Sequence, residues 1–188
     1  MRVGSISAKR LVLPVLALAL SGIAGGCGGG GGSNDDTRSA TRWANGFCSA
    51  VASWKGSLSS TVGSLQGGAL TSDAVTSAVN DANDATKKLG STLRKLGAPD
   101  TRSGQRAKEQ VDDLAGRLEH EVGTIAAAVK QASGGAGVLE AIAVGSQTLA
   151  RMRTEVTRTL ERLRRLDNGA LTNGFLQADA CNRLFGSA

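Results

Sequence analysis

The sequence predicts an all-α protein, an up-down-up-down four-helix bundle with a short C-terminal helix tied back to the first helix by a disulfide. Four long segments repeat apolar residues with the period of a helical face, and no segment alternates as a strand would. Of the two prolines, Pro14 precedes these segments and Pro99 lies between the second and the third. The connections are short, which makes successive long helices antiparallel neighbours.

The N-terminal residues 1–26 are interpreted as an export signal. Three basic residues precede an apolar run over 11–20 and a stretch of small residues that ends at Cys27. The run is too short to remain as a membrane span. The arrangement resembles a bacterial lipoprotein signal, although Ala24 stands where leucine is usual, and the resemblance implies that Cys27 becomes the lipidated first residue. The alternative is an ordinary secretory signal in which Cys27 has no role.

Residues 27–37 then form a glycine-rich tether to a helical domain at 38–188. A flexible chain of this length has a root-mean-square reach of about 17 Å. The domain is therefore expected to lie close to its membrane.

The first helix is predicted over 39–65, where apolar residues recur at intervals of three and four. Glycines interrupt it, and each costs up to about 1 kcal/mol relative to alanine, so packing must hold it together. The apolar face comprises Trp43, Phe47, Val51, Trp54, Leu58, Val62 and Leu65.

The second helix is predicted to begin at a capping residue, Thr71 or Ser72, and to end near Leu96, where Gly97 and Pro99 are stop signals. The third helix is predicted over 101–132 and is closed by a glycine pair. Their apolar faces comprise Val75, Ala78, Ala82, Ala85, Leu89, Leu93 and Leu96, and then Ala107, Val111, Leu114, Leu118, Val122, Ile125 and Val129.

The fourth helix is predicted over 138–166 and a short fifth helix over 173–185, separated by Asn168 and Gly169. The fourth helix directs inward Leu139, Ile142, Leu149, Met152, Val156, Leu160 and Leu163. The fifth carries Phe175, Leu176, Cys181, Leu184 and Phe185.

The bundle topology brings the C-terminal segment to the start of the first helix, where Cys48 lies. Exported proteins retain disulfides, and lipidation would occupy Cys27, so we predict a Cys48–Cys181 bond. Two buried free thiols are the alternative. The aromatic residues Trp43, Phe47, Phe175 and Phe185 are expected around this bond, at the end nearest the membrane.

The composition argues against several kinds of function. Removal of the three basic residues of the export signal lowers the net charge from +6 to +3, which makes nucleic-acid binding a poor inference. His120 is the only histidine, is predicted to be exposed, and lacks the paired Glu-x-x-His motifs of a di-metal bundle. Neither a catalytic triad nor a phosphate-binding loop is recognisable. We therefore predict no enzyme activity, metal or cofactor.

Two surface features remain. Arg151, Arg158, Arg162 and Arg165 fall on one face of the fourth helix. They form either a solvated face or a contact for anionic lipid head groups, near which each basic residue is worth about 1 kcal/mol. The opposite, alanine-rich end of the bundle indicates either close helix packing or a narrow apolar cavity. It comprises Ala78, Ala82, Ala126, Ala128, Ala132 and Gly145 with Val62, Leu65, Leu139 and Ile142.

Three short motifs occur at 43–48 (WANGFC), 96–101 (LGAPDT) and 180–184 (ACNRL). With them the chain resembles small helical lipoproteins of uncharacterised function from high-GC Gram-positive bacteria (Actinobacteria). The resemblance implies a location and a fold, and it transfers no functional residue.

The sequence therefore predicts a lipid-anchored bundle on the outer face of the cytoplasmic membrane, with a non-enzymatic role in envelope interactions or as an accessory protein. Its partners would be the membrane, through Cys27, and an envelope protein, while the oligomeric state stays open. The alternative is an extracytoplasmic binding module for an apolar or lipid-like ligand.

Overall fold

The computed structural model describes residues 32–66, 71–132, 134–167 and 169–186, and all regular elements in these ranges are α-helices. The prediction of an all-α protein is confirmed. The helices are α1 (Gly32–Gln66), α2 (Ser72–Lys95), α3 (Gly104–Gln131), α4 (Gly134–Arg164), α5 (Ala170–Gln177) and α6 (Asp179–Phe185). Cys27 and the predicted export signal lie outside the described residues.

Helix α1 begins earlier than predicted, so residues 32–37 of the predicted tether belong to the helix. Local interactions explain the extension. Asp35 lies in the first turn, where a negative charge is favourable, and forms an ion pair with Arg38 at 3.5 Å. The Thr41 hydroxyl donates to the Thr37 carbonyl at 2.8 Å.

The predicted boundaries of α2 are confirmed. The Thr71 side chain accepts a hydrogen bond from the Ala74 amide at 3.2 Å, as an N-cap does. After the C-cap at Leu96, Gly97 has a φ of +65°, the left-handed conformation that favours glycine. Gly134, predicted to close the third helix, instead starts α4 with a φ of +67°.

The prediction of one helix over 173–185 is wrong, because the chain bends at Ala178 and forms α5 and α6. Ala178 has φ −80° and ψ 106°, which is extended, and its side chain is buried. Asn45 of α1 accepts a hydrogen bond from the Ala180 amide at 2.9 Å, which satisfies a donor at the new N-terminus. The bend allows both short helices to lie against α1.

Consecutive long helices pack against each other, and α5 and α6 pack against α1. Trp43 Nε1 donates to the Gly97 carbonyl at 2.9 Å, so the first half of α1 lies beside the end of α2. Ser103 Oγ donates to the Leu166 carbonyl at 3.4 Å, which joins the start of α3 to the end of α4. Within the described ranges, the backbones of α1 and α4 make no direct contact.

An aromatic cluster fills the core where α5 meets α1. The ring centroids of Trp43, Phe47 and Phe175 lie 6.0 to 6.2 Å apart. At Gly174 the helices approach so closely that a Cβ atom would lie 2.6 Å from the Cβ of Ala40. The cluster forms as predicted except for the fourth member, since Phe185 is 42% exposed.

The opposite end of the bundle is less closed than the apolar pattern predicts. Leu139, predicted to point inward, is 66% exposed, while Val138 and Ala141 are buried in its place. Val62, near the end of α1, is 39% exposed. The backbones of α1 and α4 are not in contact, and α4 packs chiefly along α3, which leaves Val62 uncovered.

Candidate binding groove

An apolar groove of about 640 Å³ lies between α1 and α4, with α6 contributing to its wall. Helix α1 provides Val51, Trp54, Lys55, Leu58, Ser59, Val62 and Gly63, helix α4 provides Leu149, Arg153, Val156 and Thr157, and α6 provides Leu184 and Phe185. Ligand sites commonly have volumes of about 300–1,000 Å³ and mostly apolar linings.

Buried side chains form the floor of the groove. Val51, Trp54 and Val156 are each at most 5% exposed. The Trp54 indole nitrogen donates to Thr86 Oγ1 at 3.1 Å, and that hydroxyl donates to the Ala82 carbonyl at 2.8 Å. The polar edge of the indole is therefore satisfied inside the protein, and what Trp54 adds to the groove is apolar surface.

The groove exists because α1 and α4 are held apart and small residues line α1 beside it. Ser59 is exposed, and a Cβ atom at Gly63 would meet no atom within 4 Å. Larger side chains at these positions would occupy the space. The predicted apolar face of α1 thus continues past the core, where Leu58 is partly buried and Val62 is exposed.

The charge at the groove has one sign. Lys55 and Arg153 line it from opposite helices, and the lining contains no aspartate or glutamate. Among the described residues neither cation has an ion-pair partner. Exposed Arg183 of α6 lines a shallower depression that shares Lys55 and Leu184 with the groove. No sequence pattern identifies these cations, because they are separated along the chain.

The predicted arginine face of α4 is exposed, but most of it is paired with carboxylates. Arg151 contacts Glu121 of α3 at 3.4 Å. Arg158 and Arg165 contact the carboxylates of Glu155 and Glu161, at 3.4 and 3.1 Å, and Arg162 donates to Thr159 Oγ1 at 3.2 Å. The attraction of this face to anionic lipids remains a prediction, and its charge is less available than the sequence implied.

The remaining polar residues serve other roles. His120 is exposed, and no group of potential metal ligands occurs within the described part of the chain. Arg94 of α2 donates twice to the Glu119 carboxylate, at 2.8 and 3.0 Å. This hydrogen bonding lowers the pKa of Glu119 and raises the pKa of Arg94, despite some opposing desolvation. The pair links α2 to α3, away from the groove.

The predicted Cys48–Cys181 disulfide is present, with the two Cα atoms 5.0 Å apart. Both cysteines are buried in the core. The bond fastens α6 to α1 one turn before Leu184 and Phe185. It therefore holds in place the helix that completes the groove wall.

At the alanine-rich end, the predicted alanines are buried or partly buried, although Val62 and Leu139 are exposed. Ala78 and Ala82 are buried, and a Cβ atom at Gly145 would be in ordinary contact with Ile125, at 3.7 Å. Ala126, Ala128 and Ala132 are partly buried.

Comparisons with protein-family models, with curated proteins and with solved structures find no match to this chain. A search of the described helices for one long and apolar enough to cross a membrane finds none.

Proposed function

We propose that this protein is an extracytoplasmic binding module for an apolar or lipid-like ligand, anchored through a lipid on Cys27 to the outer face of the cytoplasmic membrane. The observation that carries the proposal is the groove between α1 and α4, which has the volume and apolar floor of a ligand site. The role is non-enzymatic. This view is supported by the groove lining, whose charged groups among the described residues are two cations.

We further propose that the four long helices form an up-down-up-down bundle. The contacts of Trp43 with Gly97 and of Ser103 with Leu166 support this arrangement, since each joins the start of one helix to the end of a neighbour. The groove would then lie along an incompletely closed seam of the bundle, between its first and fourth helices.

The binding function can be tested with Nile red, an uncharged apolar dye that brightens when it leaves water. Ser59→Trp should fill the groove and weaken dye binding at least about tenfold, because the new side chain occupies the ligand volume. The matched control is Ser60→Trp, which changes the next exposed residue of α1, outside the groove. Absence of dye binding, or equal effects of both variants, would refute the proposal.

The anchor can be tested separately by mass spectrometry of the protein purified from membranes. The expected N-terminal peptide begins at Cys27 and carries an added lipid mass. An unmodified chain that begins elsewhere would contradict the anchor while leaving the binding function in place.

A second candidate function is an accessory role in which an envelope protein docks beside the groove. The exposed apolar side chains Val62 and Phe185 favour it, because they extend the apolar surface beyond the groove floor. A photo-crosslinking residue at 62 should then capture a discrete partner in cells, whereas one at exposed Thr124 of α3 should not. Equal yields from both positions would contradict this function.

A further inference from the structure

We infer that the groove binds a monomeric carboxylate amphiphile, with one acyl chain along the apolar floor and the carboxylate between Lys55 and Arg153. This inference rests on the binding function proposed above and names its ligand class. The charge, the shape and the lining of the groove each support it.

The positive charge of the groove favours an anionic ligand. Lys55 and Arg153 lie on its two walls without an ion-pair partner among the described residues, in contrast to Arg151, Arg158 and Arg165 on the same bundle. A carboxylate can accept hydrogen bonds from both cations at once, and charge-assisted hydrogen bonds are stronger than neutral ones. A neutral ligand would gain less from this pair, and a cationic ligand would be repelled by it.

The groove is elongated along α1. From Val51 to Gly63 helix α1 rises about 18 Å at 1.5 Å per residue. An extended acyl chain can lie along the apolar residues spread over this length, which include Val51, Leu58 and Val62.

The lining places apolar contacts on both sides of the cation pair. Leu58 and Val62 follow Lys55 along α1, and Leu149 precedes Arg153 along α4. On the other side Leu184 of α6 contributes to the wall. A carboxylate held at the cations thus has continuous apolar surface beside it for the acyl chain.

The test is calorimetric titration of the mature protein with monomeric dodecanoate, compared with dodecanol and with dodecyltrimethylammonium. Dodecanoate should bind at least about tenfold more tightly than either, which is about 1.4 kcal/mol. Affinity should rise severalfold from decanoate to dodecanoate, since each fully buried methylene is worth up to about fourfold. Equal affinity for all three head groups would overturn the inference.

Charge-neutralising variants supply the second arm of the experiment. Lys55→Gln combined with Arg153→Gln should weaken dodecanoate binding about tenfold. The control combines Arg102→Gln with Lys130→Gln, which removes the same charge at exposed positions outside the groove. An equal loss in both double variants would show that only net charge matters and would refute the assigned carboxylate site.

The apolar binding function and the carboxylate ligand class can be refuted separately. Nile red binding that is blocked by Ser59→Trp, together with indifference to head-group charge, would refute the carboxylate amphiphile and retain an apolar ligand. Absence of Nile red binding would refute both. Tight binding of lysophosphatidate with no binding of dodecanoate would replace the carboxylate with a phosphate head group and overturn the ligand class named here.

Discussion

Removal of the Cys48–Cys181 disulfide tests how the C-terminal helices are held against α1. The bond joins residues 133 positions apart, and both sulfur atoms lie in the core. In the chain-entropy description, closing a loop of this length stabilises the folded state by about 5 kcal/mol, mainly by restricting the unfolded chain. That is a large part of the roughly 5–15 kcal/mol by which a domain is stable.

The assay is guanidinium unfolding followed by far-ultraviolet circular dichroism, with and without reductant. Reduction of the wild-type protein should lower the free energy of unfolding by about 3–5 kcal/mol. The control is the double variant Cys48→Ala with Cys181→Ala. Its free energy of unfolding should equal that of the reduced wild-type protein and should not change when reductant is added. A loss below about 1 kcal/mol would refute the reasoning, because α5 and α6 would then be held by packing alone.

The bond should also affect binding, since Leu184 and Phe185 follow Cys181 by one turn and line the groove. In the double variant, Nile red affinity should fall even under conditions where the far-ultraviolet spectrum is unchanged. Unchanged affinity would show that the position of α6 does not depend on the disulfide.

Three further predictions concern single sites. Gly174→Ala should destabilise the protein by about 1–3 kcal/mol in thermal melts, because the added methyl group meets α1, including its backbone. The control is Gly123→Ala on α3, where a Cβ atom meets no atom within 4 Å, and this variant should instead stabilise the protein by up to about 1 kcal/mol. If both variants changed the stability in the same direction, the close approach at Gly174 would be contradicted. Because the pKa of Glu119 is lowered on folding, its pair with Arg94 should stabilise at neutral pH and lose this effect as pH falls through the lowered pKa. Because the pair is partly exposed, Glu119→Gln should lower the free energy of unfolding by less than about 1 kcal/mol at neutral pH and should not change it in strong acid. A difference between variant and wild type that does not depend on pH would contradict this prediction. Thr86→Val should cost about 1–3 kcal/mol by denaturant unfolding, because it leaves a buried indole N–H without its acceptor; an unchanged midpoint would contradict that role.

Local patterns in the sequence predicted the four long helices and both ends of α2. The Thr71 cap and Gly97 are signals that act within a few residues, and both function as predicted. The break at Ala178 was missed because alanine favours helix continuation, and only docking against α1 makes a bend there favourable.

The disulfide was predictable because a bundle of antiparallel helices leaves few positions for the C-terminus. The bundle predicted from the apolar pattern is more closed than the observed one. The apolar periodicity of α1 and α4 continues through Val62 and Leu139, which predicts burial, yet both are exposed. Periodicity identifies a face, but it does not say whether another helix covers that face.

The sequence by itself thus determined the four long helices, both ends of α2 and the pairing of two cysteines, because these depend on short-range signals and on chain connectivity. Only the tertiary structure decided that α1 and α4 stay apart and that Lys55 and Arg153 are brought to one groove. The physical reason is that helix spacing and ion pairing depend on contacts between residues distant in sequence. Among the described residues, Arg151 has a carboxylate partner on the neighbouring helix, whereas Arg153, two residues later, has none.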